Sequence, residues 1–137
     1  MEEKMNKLEI NNSIFESIKH IDENGKEYWE ARELMKVLEY SEYRKFLPVI
    51  KKAITSCETS NVSVNDHFGH VAEMINIGKG AKRKINDYKL SRYACYLIAQ
   101  NGDSRKQVIA LAQTYFAIQT RKQELLEKEN KKIENSK

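Results

Sequence analysis

Between Tyr43 and Cys57 the apolar residues Tyr43, Phe46, Leu47, Ile50, Ala53, Ile54 and Cys57 recur on one side of a helical period, while Arg44, Lys45, Lys51 and Lys52 take the other. An amphipathic helix of this kind is stable only when its apolar stripe is covered, so the rest of the chain must supply a core against it. Ala31, Leu34, Met35 and Leu38 fall at helical spacing just upstream and predict a partner helix, with Glu39-Tyr40-Ser41 as the break. Ser41 is the expected N-cap of the second helix. Pro48 lies inside that helix, which should either kink there or restart with Pro48 in its first turn. Leu34, Leu38, Phe46, Ile50 and Ile54 are the expected contacts between the two helices.

Elsewhere the apolar spacing shortens toward that of strands. A first hairpin is expected with one strand over Phe15 to Ile21, a turn at Asp22-Glu23-Asn24-Gly25 and a return through Tyr28 and Trp29. A second is expected from Met74-Ile75-Asn76-Ile77 and Ile85 to Leu90, with residues 78–84 as its tip. Residues 58–70 read as a loop with one helical turn at Asp66-His67-Phe68. Ser91 can cap a helix over Arg92 to Gln100, and Asn101-Gly102 can stop it. Asp103 or Ser104 then caps a long helix with Val108, Leu111, Ala112, Tyr115, Phe116 and Ile118 as its core face. The expected fold is α+β: a small single domain, residues 13–121, with β-hairpins packed on about four helices. Residues 1–12 are expected to be disordered. Residues 122–137 read as a charged helix end or a linker, because Leu125, Leu126 and Ile133 are too few for a coiled-coil seam.

Composition narrows the class. Apolar residues make up 40% and charged residues 32% of 137, with one Pro and five Gly, which excludes wholesale disorder and leaves room for one core. Met1-Glu2-Glu3-Lys4 is acidic where a signal peptide is basic, and no apolar run approaches the roughly 18 residues of a membrane span. A soluble, cytoplasmic protein is the expectation. Cys57 and Cys95 sit among apolar neighbours without a CxxC pattern and are expected to be buried and reduced.

Positive charge is concentrated. Net charge is +4, yet residues 79–92 hold six cations (Lys79, Lys82, Arg83, Lys84, Lys89 and Arg92) against Asp87 alone, a local +5. A clustered patch attracts a polyanion, where scattered lysines mostly confer solubility. The alternative surface is the outer face of the second helix, where Arg44, Lys45, Lys51 and Lys52 could enter a groove in a helix-turn-helix. Either set reads equally as an ordinary solvated face.

Catalytic patterns are sparse. His67 and His70 stand three apart without a second ligand pair, so no metal is expected. Gly78-Lys79-Gly80 lacks the remaining residues of a dinucleotide or P-loop fingerprint, and no cofactor is expected. Asp87 and Lys89 have the spacing of a carboxylate and lysine in metal-dependent nucleases, a pattern that also arises by chance.

Several runs carry a resemblance: Tyr28-Trp29-Glu30-Ala31-Arg32-Glu33-Leu34, Tyr40-Ser41-Glu42-Tyr43-Arg44-Lys45-Phe46-Leu47-Pro48-Val49, Asp66-His67-Phe68, Ala81-Lys82-Arg83, Leu90-Ser91-Arg92-Tyr93-Ala94-Cys95-Tyr96-Leu97, Gln100-Asn101-Gly102-Asp103, and Gln113 through Arg121. In this order they resemble the N-terminal half of the bacterial DNA-damage-inducible protein D family, which is similar to the Bro-N domain of viral and phage antirepressor-type proteins. The resemblance implies a small mixed α and β module associated with DNA binding and the SOS response, and it supplies no catalytic residues to carry over. Glu39 departs from it, standing where related domains usually place a glycine. The implied partner is DNA, duplex or single-stranded. A protein-interaction role with another DNA-repair or regulatory protein is the alternative, and a nuclease using Asp87 and Lys89 is a third.

Overall fold

A computed structural model describes residues 14–135 of the chain; the expected disordered segment 1–12 lies outside the described residues. Residues 14–17 form a helical turn, α1. There follow β1 (His20–Ile21), β2 (Glu27–Glu30), α2 (Ala31–Val37), α3 (Tyr43–Thr59), α4 (Val64–His67), β3 (Phe68–Gly78), β4 (Ala81–Leu90), α5 (Arg92–Gln100) and α6 (Gln107–Asn135). The strands are antiparallel in the order β1-β2-β4-β3, giving the expected α+β architecture.

The first hairpin is shorter than its sequence implies. Phe15 belongs to α1, not to a strand, and is buried with its ring centroid 5.1 Å from Tyr115 and 5.3 Å from Phe116. Its carbonyl accepts the indole N–H of Trp29 at 3.0 Å. Packing against α6 and bonding to a side chain take this segment out of strand pairing, which leaves two residues for β1. The turn forms as expected: the Asp22 carboxylate accepts the backbone N–H groups of Asn24 and Lys26, both at 2.9 Å, and Gly25 supplies φ +79°.

The two amphipathic helices bury Leu34, Leu38, Phe46 and Ile50 as expected, with Ile54 half-buried beside them. The cap of α3 differs from expectation. Glu42, not Ser41, occupies the N-cap, and its carboxylate bonds no backbone N–H, turning instead to Arg44 at 3.2 Å and Lys45 at 3.4 Å. The helix does not restart at Pro48, which sits in its interior on the exposed side. Water can reach the Arg44 carbonyl that the proline ring leaves without an N–H partner.

Both helices end in the same device. Beyond α2, Tyr40 N–H donates to the Met35 carbonyl at 2.9 Å and Glu39 N–H to that of Lys36 at 3.1 Å, with Glu39 at φ +66°. Beyond α3, Val62 N–H reaches the Cys57 carbonyl at 3.1 Å and Asn61 N–H that of Glu58 at 3.0 Å, with Asn61 at φ +59°. These are Schellman motifs whose left-handed position favours glycine; asparagine tolerates it, glutamate does so poorly.

Ser91 caps α5 as expected, its hydroxyl oxygen accepting Ala94 N–H at 3.0 Å. α6 starts later than the Asp103 or Ser104 cap predicts. Asp103 instead closes a turn, its carboxylate taking Arg105 N–H and its carbonyl Lys106 N–H, each at 3.0 Å. Ile109, Ala112, Tyr115 and Phe116 are buried, Val108 and Leu111 are half-buried, and Ile118, expected in the core, is exposed. It lies about 200° round the helix from Phe116, on the far side. Beyond residue 120 the chain remains helical to Asn135, its described side chains exposed. Cys57 and Cys95 are both buried and unpaired, as expected.

Candidate nucleic-acid interface

Strands β3 and β4 pair from Phe68↔Leu90 out to Gly78↔Ala81, with a bulge between Asn76 and Gly78. Only the root of this hairpin joins the rest of the sheet: β2 meets β4 at Trp29↔Leu90 and Glu30↔Lys89. One step further out, Arg32 Nε–H donates to the Asn86 carbonyl at 2.8 Å. Residues 72–84 are exposed throughout, on both faces. The distal hairpin is therefore a two-stranded arm about 20 Å long, from six to seven residues at strand rise.

The expected seven-residue tip contracts to the turn Lys79–Gly80. Gly78, Lys79 and Gly80 all have positive φ, at +104°, +48° and +77°, so the chain reverses there and residues 81–84 are left to pair as strand. Lys79 alone occupies the turn. Lys82 faces Asn76, Arg83 faces Ile75 and Lys84 faces Met74 across the ladder. Strand alternation puts Lys82 and Lys84 on one face and Arg83 on the other. From residue 71 to 86 these four cations meet one acid, Glu73. Among the described residues, none of the four makes an ion pair or side-chain hydrogen bond.

The other two members of the cluster lie elsewhere. Lys89 sits at the root with its ammonium 4.8 Å from the centre of the Tyr28 ring. Arg92, half-buried, pairs with Glu27 and donates to the Gln119 carbonyl and the Gln123 side chain at 3.4 Å. Linear sequence joined what the fold separates. On α3, Arg44 and Lys45 share the Glu42 carboxylate, so only Lys51 and Lys52 leave that exposed face uncompensated.

The nuclease-like pair is committed to structure. Asp87 Oδ1 accepts the backbone N–H of Arg32 at 3.1 Å and of Tyr88 at 2.8 Å, so a carboxylate from β4 caps the start of α2. The same cap explains why α2 has no cap of its own from Glu30. His67 and His70 do not converge: His67 Nδ1 lies 2.6 Å from the Ser91 hydroxyl, while His70 meets the edge of Tyr88. Burial lowers the His67 pKa, and the neutral ring can accept the Ser91 proton.

One cluster escaped sequence reasoning. His20, Glu30 and Glu33 hold three potential ligand atoms within 4.8 Å of one another. Burial, with Glu33 beside it, raises the Glu30 pKa. His20 Nε2 already bonds the Glu33 carboxylate, so two of the three groups are engaged with each other. The i, i+3 glutamates were visible; the β1–β2 register that brings His20 opposite Tyr28 was not. A cavity of about 810 Å³ between the first turn, α5 and α6 also went unforeseen; Lys26 and Arg92 in its wall are outnumbered by Glu27, Glu124 and Glu127.

The BRO family N-terminal domain profile matches residues 17–117, a span that includes the whole arm and every buried core residue but Phe15. The chain belongs to the BRO family, N-terminal domain. This Bro-N chain is 56% identical over 115 residues to DNA damage-inducible protein D of Escherichia coli (strain K12). The match covers 84% of this chain and 42% of that relative, so the chain spans less than half of the relative's length. No solved structure matches significantly. Among the described residues, no helix is long and apolar enough to cross a membrane.

Proposed function

We propose that this Bro-N chain is a non-enzymatic DNA-binding module of the DNA-damage response, acting in the cytoplasm, and that the β3–β4 arm is its contact surface. One observation carries the reading: Lys79, Lys82, Arg83 and Lys84 stand on an arm exposed on both faces, without internal partners among the described residues. Side chains already satisfied within the fold give little to a ligand, whereas these are free to replace the counterions of phosphates. A two-stranded ribbon also has the width that a DNA groove admits. The relative's name ties it to DNA damage, which supports the assignment. Asp87 as a helix cap and Lys89 on Tyr28 favour a structural over a catalytic role for that pair.

Binding of labelled duplex and single-stranded DNA across a salt series tests the proposal. Each phosphate neutralised on duplex adds about -0.9 to the slope of log affinity against log salt. Alanine at Lys79, Lys82, Arg83 and Lys84 together should weaken binding and flatten the slope by up to about three to four units. Loss of binding on replacing Arg44, Lys45, Lys51 and Lys52, with the arm replacement silent, transfers the interface to α3. Absence of any salt-dependent binding leaves the antirepressor-like, protein-binding reading in its place.

A further inference from the structure

The arm carries more than charge. Met74 is 62% exposed, Ile77 58% and Ile75 37%, all on β3, while the core is closed without them. Ile77 falls in the bulge between the last two paired positions, one residue before the positive-φ run that makes the turn. Bulged residues leave the regular ladder, which sets Ile77 at the end of the arm. Met74 stands opposite Lys84, Ile75 opposite Arg83 and Asn76 opposite Lys82. Met74 and Ile75 are thus each across from a cation, and Ile77 lies two residues before Lys79. An arm end with an apolar point and a collar of cations matches a partner whose apolar interior lies between two rows of negative charge. Duplex DNA has this layout: stacked bases between phosphate strands.

We infer that Ile77, with Met74 three residues back on the same strand, is a wedge that enters the base stack while Lys79, Lys82, Arg83 and Lys84 hold the flanking phosphates, so that the domain selects duplexes with weakened stacking. The inference rests on the arm being the DNA-contacting surface. Apolar side chains inserted at a base step partly unstack it and bend the duplex by about 20 to 90°. Unstacking costs least where the step is already weak, at a mismatch or a flexible pyrimidine–purine step. The substrate class is therefore distorted duplex rather than a particular sequence.

The test uses the full chain with two duplexes of equal length, one fully paired and one with a central mismatch, end-labelled for energy transfer. The expected result is a preference of about tenfold or more for the mismatched duplex and a shortened end-to-end distance on binding. Ile77→Ser, and Met74→Ser with Ile77→Ser, should reduce the preference toward unity and abolish the bend while leaving the salt slope of binding in place. Both positions are exposed, and thermal melts of the variants confirm that the fold is kept. Salt-dependent binding with no preference and no bend overturns the wedge and leaves the phosphate-contact reading standing. No salt-dependent binding to either duplex removes that reading, and the wedge with it. Sedimentation supplies a further refutation: a dimer of the parent that Ile77→Ser converts to monomer would mean that the apolar point covers a second copy of the chain. Ile77-dependent binding to phosphatidylglycerol vesicles without binding to DNA would assign it to an anionic lipid surface.

Discussion

Glu39 is held where a glutamate is disfavoured, and relieving it should stabilise the domain. Its φ of +66° is imposed by the two hydrogen bonds that close α2, from Tyr40 to Met35 and from Glu39 itself to Lys36. An L residue in this region costs about 1–2 kcal/mol through the clash of Cβ with its own backbone. Glycine removes that cost but returns about 0.5–1 kcal/mol in unfolded-chain freedom. Removing a carboxylate from the negative end of a helix adds about 0.3 kcal/mol at an exposed site. Glu39→Gly should therefore gain about 1 kcal/mol, a rise in Tm of roughly 3–5 °C for a domain of this size. Urea denaturation followed by circular dichroism measures it, with Glu39→Ala as the comparison. Alanine loses the charge but keeps Cβ, so it should stay within about 0.5 kcal/mol of the parent. A Glu39→Gly protein no more stable than Glu39→Ala would refute the backbone argument.

Three further outcomes follow from the packing and the titrating groups. Phe46 is fully buried between α2 and α3 while Lys52 is exposed, so Phe46→Ala should cost about 3–5 kcal/mol and Lys52→Ala less than about 0.5; equal melting temperatures contradict the face assignment. Both cysteines are buried and unpaired, and burial raises both thiol pKa values, so labelling should be slow in the native state and reach two per chain after unfolding without reductant. Burial lowers the His67 pKa, so the unfolded ring takes up a proton near pH 6.5 before the folded one does. Its contribution to stability is complete above that pH and declines as the pH falls through it toward the lower folded value. His67→Gln should therefore lose less stability than the parent between pH 7.5 and 5, as read by urea denaturation; identical losses contradict the assignment.

What could be read from the sequence was what local periodicity governs. The stripe from Tyr43 to Cys57 is an amphipathic helix because burial of Phe46, Ile50, Ala53 and Cys57 at that spacing admits no other geometry. The turn at Asp22 to Gly25 and the Ser91 cap follow equally local rules. Misreadings arose where distant residues decide. The local pattern places Phe15 in a strand, but its role, stacking on Tyr115 and taking the Trp29 N–H, depends on β2 and on α6 a hundred residues on. Linear proximity groups Arg92 with the arm, whereas its partner Glu27 comes from another hairpin. Asp87 looked like a catalytic carboxylate because the helix it caps lies 55 residues earlier. The basic run itself was legible, but not that Lys82, Arg83 and Lys84 lie along a free strand rather than in a loop: that depended on the three positive-φ residues at 78–80 fixing the reversal.

The most direct test of the arm as the binding surface is a titration of the nitrogen-15-labelled chain with a short duplex at low salt, followed by amide chemical shifts. The account predicts that shift changes concentrate in residues 74–86, grow with DNA added and reverse on raising the salt, while the amides around Lys51 and Lys52 on α3 stay in place. Changes confined to α3, or a spectrum that DNA leaves unaltered, would contradict it.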